Sequence, residues 1–492
     1  MDSLAFLCAR CVVTQRPLPA LPPHLSHVIF QAAFQDGKDM VLRDLVATWP
    51  FPELHFQQLV GNLKLHLDHP YKECVQAVIQ GVVVKLQREL EEPGHHSSGC
   101  RLRVLDMTGV LDDPDERHFC SSTKALARAC VEVSRYQQQF QRHRPKRHKG
   151  CSGTTRDEAA PQPPGVDVHA DLLGHTTNYE ILRDALQTGA DGLLRLKCRE
   201  FEAQNLSASE TVTLLESLDP SFLRRVELCF SLRLAELSVI LPHLSRFPEL
   251  RSLKLQNSTE DVQDLISESA VTIRRVARQL GMLSGLREFS LRSTHLSGNL
   301  REILCDLQAP LESLGFRSCF LVPADLTFLS QSFHAPALKK LDLRGLDVSE
   351  GLLEPLRLLL EKTSASLLQL NLMGCCMGDS DLAVLLPTLL RCSRLRFLGL
   401  YHNPLSKAAI KDVLLKTLEL PDLQRVVYPI PMDCRETDPS EFLWDFYGVF
   451  ANEQLLRAAE EEISQLLANS GRTDLDWSWD HVGQEPLDYF SL

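Results

Sequence analysis

Cys8 and Cys11 are the first residues of the chain whose types and spacing could carry chemistry. They form a Cys-x-x-Cys sequence, the spacing at which two thiolates bind zinc or exchange a disulfide. A zinc site needs two further ligands at suitable spacing, and no other pair of ligands lies nearby. We therefore interpret Cys8 and Cys11 as two cysteines of a helix. We expect no metal and no cofactor.

Motifs of catalytic sites are missing from the sequence. There is no G-x-x-x-x-G-K-[S/T] loop to bind phosphates, no H-E-x-x-H zinc motif and no G-x-S-x-G nucleophile motif. The many histidines and cysteines are spread along the chain without the context of a catalytic triad. We predict that the protein is not an enzyme.

Cys8 also belongs to a second pattern, which is typical of a helix that binds a partner protein. Leu4, Cys8 and Val12 are four residues apart and therefore share one stripe of a helix, whose start Ser3 can cap. The pattern resembles the BC box, [S/T/P]-L-x-x-x-C-x-x-x-[A/I/L/V], by which a helix binds the elongin B/C adaptor pair. In this helix-in-groove recognition the leucine fills an apolar pocket, and the small cysteine lets the helix sit close. We expect these four residues to bind elongin B/C.

A second box follows in the order found in cullin-2 adaptors. Leu21, Pro22, Leu25 and Ile29 resemble the cullin-2 box, φ-P-x-x-φ-x-x-x-φ, in which φ is an apolar residue. A helix that begins near Pro22 would carry Leu25 and Ile29 on one face. We expect these four residues to bind cullin-2. The alternative is that both helices only cap the structure that follows them.

The remainder of the chain is organised around a repeated strand pattern. Residues 395–403 read L-x-x-L-x-L-x-x-N, the signature of a leucine-rich repeat, in which the leucines point inward from a short parallel strand. Residues 367–375 match it with a terminal cysteine. The successive copies start at Leu223, Leu250, Leu286, Leu311, Leu338, Leu367, Leu395 and Leu423. All but one of these steps are 25 to 29 residues long, which is typical of one strand and one helix per repeat. The step from Leu250 to Leu286 is longer, and we expect an insertion near 259–272.

The parts of the chain follow from this pattern. We predict an α/β leucine-rich-repeat solenoid, a horseshoe, behind a helical N-terminal region. The predicted helical region spans 1–99, a first repeat-like strand and helix spans 100–134, and a flexible basic and proline-rich insertion spans 135–169. Leucine-rich repeats span 170–429, and a terminal cap spans 430–492.

Composition favours a reduced protein inside the cell. The net charge is −12, which argues against a general nucleic-acid binder. The 15 cysteines are scattered through positions typical of a core, and no signal peptide or membrane span is expected. We predict a cytoplasmic location. A nuclear share stays open, because residues 142–149 could be an import signal or a solvated loop.

The layout resembles the PRAME family, and in particular its leucine-rich-repeat-containing protein 14 subfamily. The resemblance is carried by the two boxes, by Trp49-Pro50-Phe51-Pro52, by residues 102–108 and by the repeats, and it covers nearly the full chain except 135–169. Members of this family act as substrate receptors of cullin-2 ubiquitin ligases. The resemblance therefore implies elongin B/C and cullin-2 as partners. It does not identify the target protein.

Residues at the third, fifth and seventh motif positions should face away from the leucines, onto the concave surface. We expect the target to bind there, through a basic stripe and an apolar patch that suit a protein with an acidic segment. The candidate residues are Lys254, Arg292, Arg317, Lys340, Arg344, Met373, Phe397 and Tyr401. Glu288 and Asp342 stand on the same face and could neutralise the bases.

These observations leave two candidate functions for the protein. The first is a substrate receptor of a cullin-2 RING ubiquitin ligase, which holds elongin B/C by its N-terminus and a target by its repeats. The second is a ligase-independent inhibitor or scaffold that restrains a signalling or transcription partner. The BC-box pattern separates them, because a pure inhibitor has no use for it.

Overall fold

The fold was described from a computed structural model. The structure describes residues 3–15, 18, 22–61, 69–91, 100–110, 122–143, 165–189, 192–230, 234–257, 270–293, 298–348, 351–435, 452–472, 474–479 and 487–492. These residues divide into two compact units. The first unit comprises Met1–Glu227 with Arg246–Glu249, and the second comprises Leu228–Ser245 with Leu250–Leu492.

The first unit contains eight helices and a parallel ladder of four strands among its described residues. Its helices are α1 (Leu4–Val12), α2 (Ser26–Gln35), α3 (Asp39–Ala47), α4 (Phe56–Val60), α5 (His69–Glu91), α6 (Ser122–His143), α7 (Tyr179–Gly189) and α8 (Ala208–Ser217). Its strands are β1 (Glu53–His55), β2 (Val104–Asp106), β3 (Val166–His175) and β4 (Leu194–Gln204), paired in that order. The division between the units falls within strand β5 (Arg225–Phe230).

The second unit repeats a strand and a helix along the chain. Its helices are α9 (Leu234–Leu244), α10 (Ala270–Gly281), α11 (Leu300–Leu304), α12 (Pro323–Gln331), α13 (Leu353–Thr363), α14 (Asp379–Leu389), α15 (Lys407–Thr417) and α16 (Glu453–Ser470). Its strands are β6 (Ser252–Asn257), β7 (Glu288–Arg292), β8 (Ser313–Arg317), β9 (Lys340–Asp342), β10 (Gln369–Asn371), β11 (Phe397–Gly399), β12 (Arg425–Val427) and β13 (Asp476–Ser478). All neighbouring strands in this series are parallel.

Strand pairing in the second unit confirms the repeat register that the sequence predicts. The residue two positions after each predicted repeat start pairs with its equivalent in the next repeat. Ser313 pairs with Lys340, Lys340 with Gln369, Gln369 with Phe397, and Phe397 with Arg425. The fourth-position leucines point to the opposite face and are completely buried. They are Leu314, Leu341, Leu370 and Leu398. The leucine-rich-repeat fold is therefore present, with one strand and one helix per repeat.

The last motif position also has its predicted role. Asn403 is fully buried, and its Oδ1 accepts from the backbone N–H groups of Cys375 (3.1 Å) and Met377 (3.0 Å). Its Nδ2 donates to the carbonyl oxygens of Leu372 and Leu400, at 2.8 Å each. One side chain thus joins the turns of two successive repeats.

The N-terminal region differs from the prediction of helices alone. Strand β1 lies inside it, and β2 pairs with β1 on one side and with β3 on the other, so β2 is neither isolated nor the first strand. The sequence hides β1 because it has only three residues and follows the turn sequence Trp49-Pro50-Phe51-Pro52. Helix α4 follows β1 directly and ends at Val60, and residues 62–68 lie outside the described part.

The predicted insertion at 135–169 is too long at both ends. Helix α6 continues to His143, and β3 begins at Val166. The polar residues after Arg135 led to the wrong boundary, because an exposed helix end needs few apolar residues. Residues 144–164 lie outside the described part, as do most of the expected insertion at 259–272 and residues 436–451 of the predicted cap.

The cap at the C-terminal end holds a strand that the sequence did not indicate. Strand β13 pairs with β12 in the same parallel sense, and Tyr428 stacks on Trp477 with ring centroids 5.7 Å apart. The long interval between Arg425 and its partner Asp476 conceals the repeat, because the five preceding intervals between paired strands, from β7 to β12, are only 25 to 29 residues. The cap therefore continues the ladder by one more strand.

Candidate binding surfaces

Helix α1 packs on the first unit by one face. The Ser3 hydroxyl caps it by accepting from the Phe6 N–H (3.2 Å), as predicted. Ala9 and Val13 are buried where α1 contacts α2, and the Arg10 guanidinium pairs with the Asp36 carboxylate at the end of α2 (2.8 Å). These contacts fix which side of α1 is turned away from the unit.

The side turned away carries the BC-box-like residues. Leu4 is 78% exposed and Leu7 is 47% exposed, and among the described residues of the first unit they are the only large apolar side chains in that state. Cys8 and Cys11 are exposed on the same stripe, whereas Val12 is half-buried. An exposed apolar stripe on a helix whose other side is packed is a surface suited to a partner.

The cullin-box-like residues differ in their exposure. Leu21 lies outside the described residues, Pro22 is exposed and Leu25 is half-buried at the end of a short 3-10 turn, Pro23–Leu25. Ile29 is only 2% exposed, because it lies on the α2 face that includes Phe30 and turns into the core of the unit. The expectation that Ile29 contacts a partner directly is therefore wrong, and its apolar character is explained by packing.

The predicted basic stripe is largely paired with acids of its own surface. Asp342, 5% exposed, accepts from the Arg317 guanidinium (2.8 Å) and from the Arg344 guanidinium (3.2 Å). Lys254 is half-buried, and Arg292 is exposed and donates to the Gln256 side chain (3.3 Å). The alternative stated above is confirmed for Asp342, so this stripe is not an open positive surface.

The predicted apolar patch is also less open than expected. Met373 is 8% exposed and Phe397 is 4% exposed, and they form one cluster with Val427 against which Tyr401 packs. Apolar residues on neighbouring strands are about 5 Å apart, so they cover one another. The expectation of an exposed apolar anchor is wrong for Met373 and Phe397, while Tyr401 stays half-exposed.

A segment that the sequence reading did not single out lies on this face of the second unit. Lys340 Nζ donates to the carbonyl oxygen of Leu487 (2.9 Å). The Gln369 amide, oriented so that both polar atoms have partners, donates to the same carbonyl (3.1 Å) and accepts from the Leu487 N–H (3.2 Å). The Tyr489 hydroxyl donates to a carboxylate oxygen of Glu312 (3.4 Å). We call Leu487–Leu492 the C-terminal segment.

The structure explains why the sequence missed this contact. Lys340 was expected to face a target, whereas its Nζ donates to the carbonyl oxygen of Leu487, 147 residues away in the same chain. The available signal was the apolar and aromatic sequence Leu487-Asp-Tyr-Phe-Ser-Leu492 at the end of a charged region. No repeat period or motif connects it with Gln369.

Comparisons with known proteins show to which family the sequence is similar. The PRAME N-terminal domain model matches residues 7–114, and the PRAME C-terminal domain model matches residues 181–473. Leucine-rich repeat-containing protein 14 of Xenopus laevis is 40% identical over 513 aligned residues, and the human protein of that name is 40% identical over 516. Both alignments cover 100% of this chain and 100% of the relative. The solved structure of the leucine-rich repeat-containing protein LegL7 from Legionella pneumophila covers 64% of this chain and 93% of its own, at 18% identity and a TM-score of 0.37.

Membrane insertion by a helix is not indicated. None of the helices among the described residues combines the length and the apolar composition that a membrane span requires.

Proposed function

From the premise that this chain belongs to the PRAME family, we propose that it is a substrate receptor of a cullin-2 RING ubiquitin ligase. Helix α1 binds the elongin B/C pair, and the leucine-rich repeats bind the protein to be ubiquitinated. The receptor supplies proximity alone, because the transfer of ubiquitin takes place on other subunits. The observation that carries the proposal is the exposed stripe of α1.

Exposure and chemistry of that stripe support the elongin assignment. A leucine that is 78% exposed gains most when a partner's apolar pocket covers it, because burial of a leucine side chain is worth about 1.5–3 kcal/mol. Cys8 lies one turn further along the same stripe, and its small side chain allows close approach of a second helix. The opposite residues, Ala9 and Val13, hold α1 in place and leave this stripe free for docking.

We test the elongin assignment with the double variant Leu4→Ala/Cys8→Ala. Loss of a buried hot-spot leucine costs at least about 2 kcal/mol, which lowers the affinity for purified elongin B/C roughly thirtyfold. The affinity is measured by biolayer interferometry with the full-length chain. The matched control is Leu415→Ala/Cys305→Ala, which removes an exposed leucine from α15 and an exposed cysteine directly after α11 in the second unit. Equal elongin affinity of the wild type and the Leu4/Cys8 variant would refute the assignment.

The cullin assignment rests on fewer residues. Pro22 is exposed and Leu25 is half-exposed, so these two can still contact a cullin, together with Leu21 from the sequence motif. We expect Leu21→Ala/Pro22→Ala to reduce recovery of cullin-2 and to leave elongin binding intact, because the motif lies outside α1. Loss of both proteins would mean that the two boxes act as one structural piece.

The burial of Ile29 favours a second candidate function. A cullin-2 box that lacks its last apolar contact is weaker, so a ligase-independent inhibitor or scaffold is the alternative. Such a protein would bind its partner through the repeats with unchanged affinity after the Leu4/Cys8 substitutions, and it would bring no cullin-2 with it.

A further inference from the structure

We propose that the sheet face around Lys340 and Gln369 is a peptide-docking site, that the C-terminal segment occupies it, and that a target segment with an acidic residue followed by tyrosine displaces this occupant. The inference deepens the proposed function and rests on it for the role of the target. We call the face formed by Glu312, Lys340 and Gln369 the docking face.

The first support is the way in which Gln369 holds Leu487. Its amide bonds both the N–H and the carbonyl oxygen of one residue, at 3.2 Å and 3.1 Å. A side-chain amide that pairs with both polar groups of one residue recognises an extended main chain whatever the side chain of that residue is. With the segment in place Gln369 is 2% exposed, so its two hydrogen bonds to Leu487 take the place of the bonds that water would make.

The charge of Lys340 favours an acidic residue directly after Leu487. Burial lowers the pKa of the Lys340 ammonium, and the carboxylates of Glu288, Asp342 and Asp488 oppose that shift. Asp488 belongs to the C-terminal segment, where its carboxylate accepts from the Phe490 N–H (3.1 Å), and its influence on Lys340 is the smallest of the three. The Lys340 Nζ is at the same time bonded to the Leu487 carbonyl (2.9 Å). An occupant with an acidic residue directly after the clamped residue therefore fits this face.

Tyr489 selects the next position. Its hydroxyl donates to the Glu312 carboxylate (3.4 Å), and burial, helped by the nearby carboxylates of Glu312 and Glu288, raises the pKa of Tyr489 to about 12. The acceptor is a carboxylate that also pairs with Lys339 (2.8 Å), and it takes a hydroxyl as its second donor. An unmodified tyrosine fits, whereas a phosphotyrosine has no hydroxyl to donate to Glu312.

The C-terminal segment is held weakly enough to be displaced. Leu487 remains 48% exposed and Phe490 remains 40% exposed, so these two of the three large apolar side chains of the segment contribute little burial, while Leu492 is half-buried. The described contacts are mainly hydrogen bonds, whose net contribution is small because water competes for the same groups. A target that keeps these bonds and also buries an apolar side chain would replace the segment.

The test uses the synthetic peptide Leu-Asp-Tyr-Phe-Ser-Leu with an N-terminal fluorescein as its probe. Fluorescence anisotropy compares the wild-type chain with a chain that ends at residue 486. A resident segment at an effective concentration of about 1 mM should weaken a peptide of about 100 μM affinity roughly tenfold. We therefore expect the shortened chain to bind the peptide about tenfold more tightly than the intact chain does. The same peptide with phosphotyrosine should bind more weakly, because it cannot donate a hydrogen bond to Glu312.

Variants of the docking face test whether the peptide binds at this site. In the shortened chain, Gln369→Leu should reduce peptide affinity at least about tenfold, because it removes two hydrogen bonds at constant size. The matched control is Gln256→Leu, which changes a glutamine on the same face of β6 and should leave the affinity unchanged. If the shortened chain is unstable, the full-length variant Asp488→Ala/Tyr489→Ala frees the docking face without shortening and should bind the peptide more tightly than the wild type does.

Several results would overturn the inference. They are failure of the peptide to bind both the shortened chain and the Asp488/Tyr489 variant, an equal affinity for the Gln369 variant, and a wild-type dimer that shortening converts to a monomer. The dimer would place the segment on a second copy. Elongin affinity, measured on the same proteins, separates this outcome from the proposed function: a failed docking face leaves elongin binding unchanged, and a failed BC box leaves peptide binding unchanged.

Discussion

Asn403 shows how one residue type determines the structure of a repeat. It makes four hydrogen bonds to backbone groups of two successive turns and is completely buried. Cysteine takes the same motif position in two other repeats: the Cys375 thiol donates to the Leu343 carbonyl (3.2 Å), and the Cys319 thiol donates to the Leu291 carbonyl (3.5 Å). A thiol is a weak donor, so the asparagine version holds its turns more firmly.

We predict that Asn403→Ala lowers the free energy of unfolding by at least about 3 kcal/mol. The substitution leaves two N–H groups and two carbonyl oxygens buried without partners, and each such group costs about 1–3 kcal/mol. Urea unfolding followed by circular dichroism measures the change. Asn452→Ala serves as the comparison, because Asn452 caps α16 at the surface and such a cap is worth about 1 kcal/mol. Equal effects of the two substitutions would contradict the role given to Asn403.

At the scale of the elements, Arg472 binds the backbone carbonyl groups that connect helix α15 with strand β12. The Arg472 guanidinium, at the end of α16, donates to the carbonyl oxygens of Leu418 (3.0 Å), Leu420 (2.9 Å) and Leu423 (2.6 Å), and it also pairs with Asp474. These carbonyls end α15 and lead into β12, where no further helical N–H can reach them. The cap is therefore fastened by a charged donor as well as by the pairing of β13 with β12.

We expect Arg472→Met to lower the free energy of unfolding by about 2–4 kcal/mol. Hydrogen bonds from a charged donor are worth about 1.5–3 kcal/mol each, and part of this value is recovered when water reaches the carbonyls. The control is Arg457→Met on α16, which removes an exposed pair with Glu453 and should cost less than about 0.5 kcal/mol. Both values come from urea unfolding. A loss for Arg457→Met as large as that for Arg472→Met would assign the effect to helix charge instead of to the cap.

At the scale of the whole molecule, the cysteines report folding in both units. The described cysteines are all free thiols; nine are buried, and Cys8, Cys11, Cys305 and Cys376 are exposed. Burial raises the pKa of Cys74 and Cys392 to about 11, and that of Cys130 and Cys375 to about 12. These thiols should therefore react slowly for two reasons. The raised pKa keeps the thiolate fraction small, and burial excludes reagents.

Alkylation by iodoacetamide at pH 8, followed by site-resolved mass spectrometry, should label Cys8 and Cys11 in the native protein within minutes. Cys130 and Cys375, one from each unit, should be labelled only when their own unit unfolds, and labelling of both should become fast in 6 M guanidinium. Reductant should not change the unfolding transition, because the described cysteines form no disulfide. Rapid native labelling of Cys130 or Cys375 would contradict the packing described above.

The periodic parts of the structure could be predicted from the sequence. The starts of the repeats, the pairing of Gln369 with Phe397 and the role of Asn403 follow from local rules, because each repeat buries its leucines on the next one at a constant spacing. The cap of α1 by Ser3 is equally local. The stripe that contains Leu4 and Cys8 could be predicted from helical periodicity, since residues four apart share a side.

Only the tertiary structure decided which of these surfaces stay open. Ile29 fits its motif but is turned into the core, because α2 must bury the face that carries it. Arg317 and Arg344 could be assigned to one face from the sequence, but their pairing with Asp342 depends on side chains of neighbouring strands. The contact of Leu487 with Lys340 and Gln369 joins residues more than a hundred positions apart, and no periodic pattern encodes such a contact. Burial and pairing are properties of the packed chain, so they determined what each predicted surface can bind.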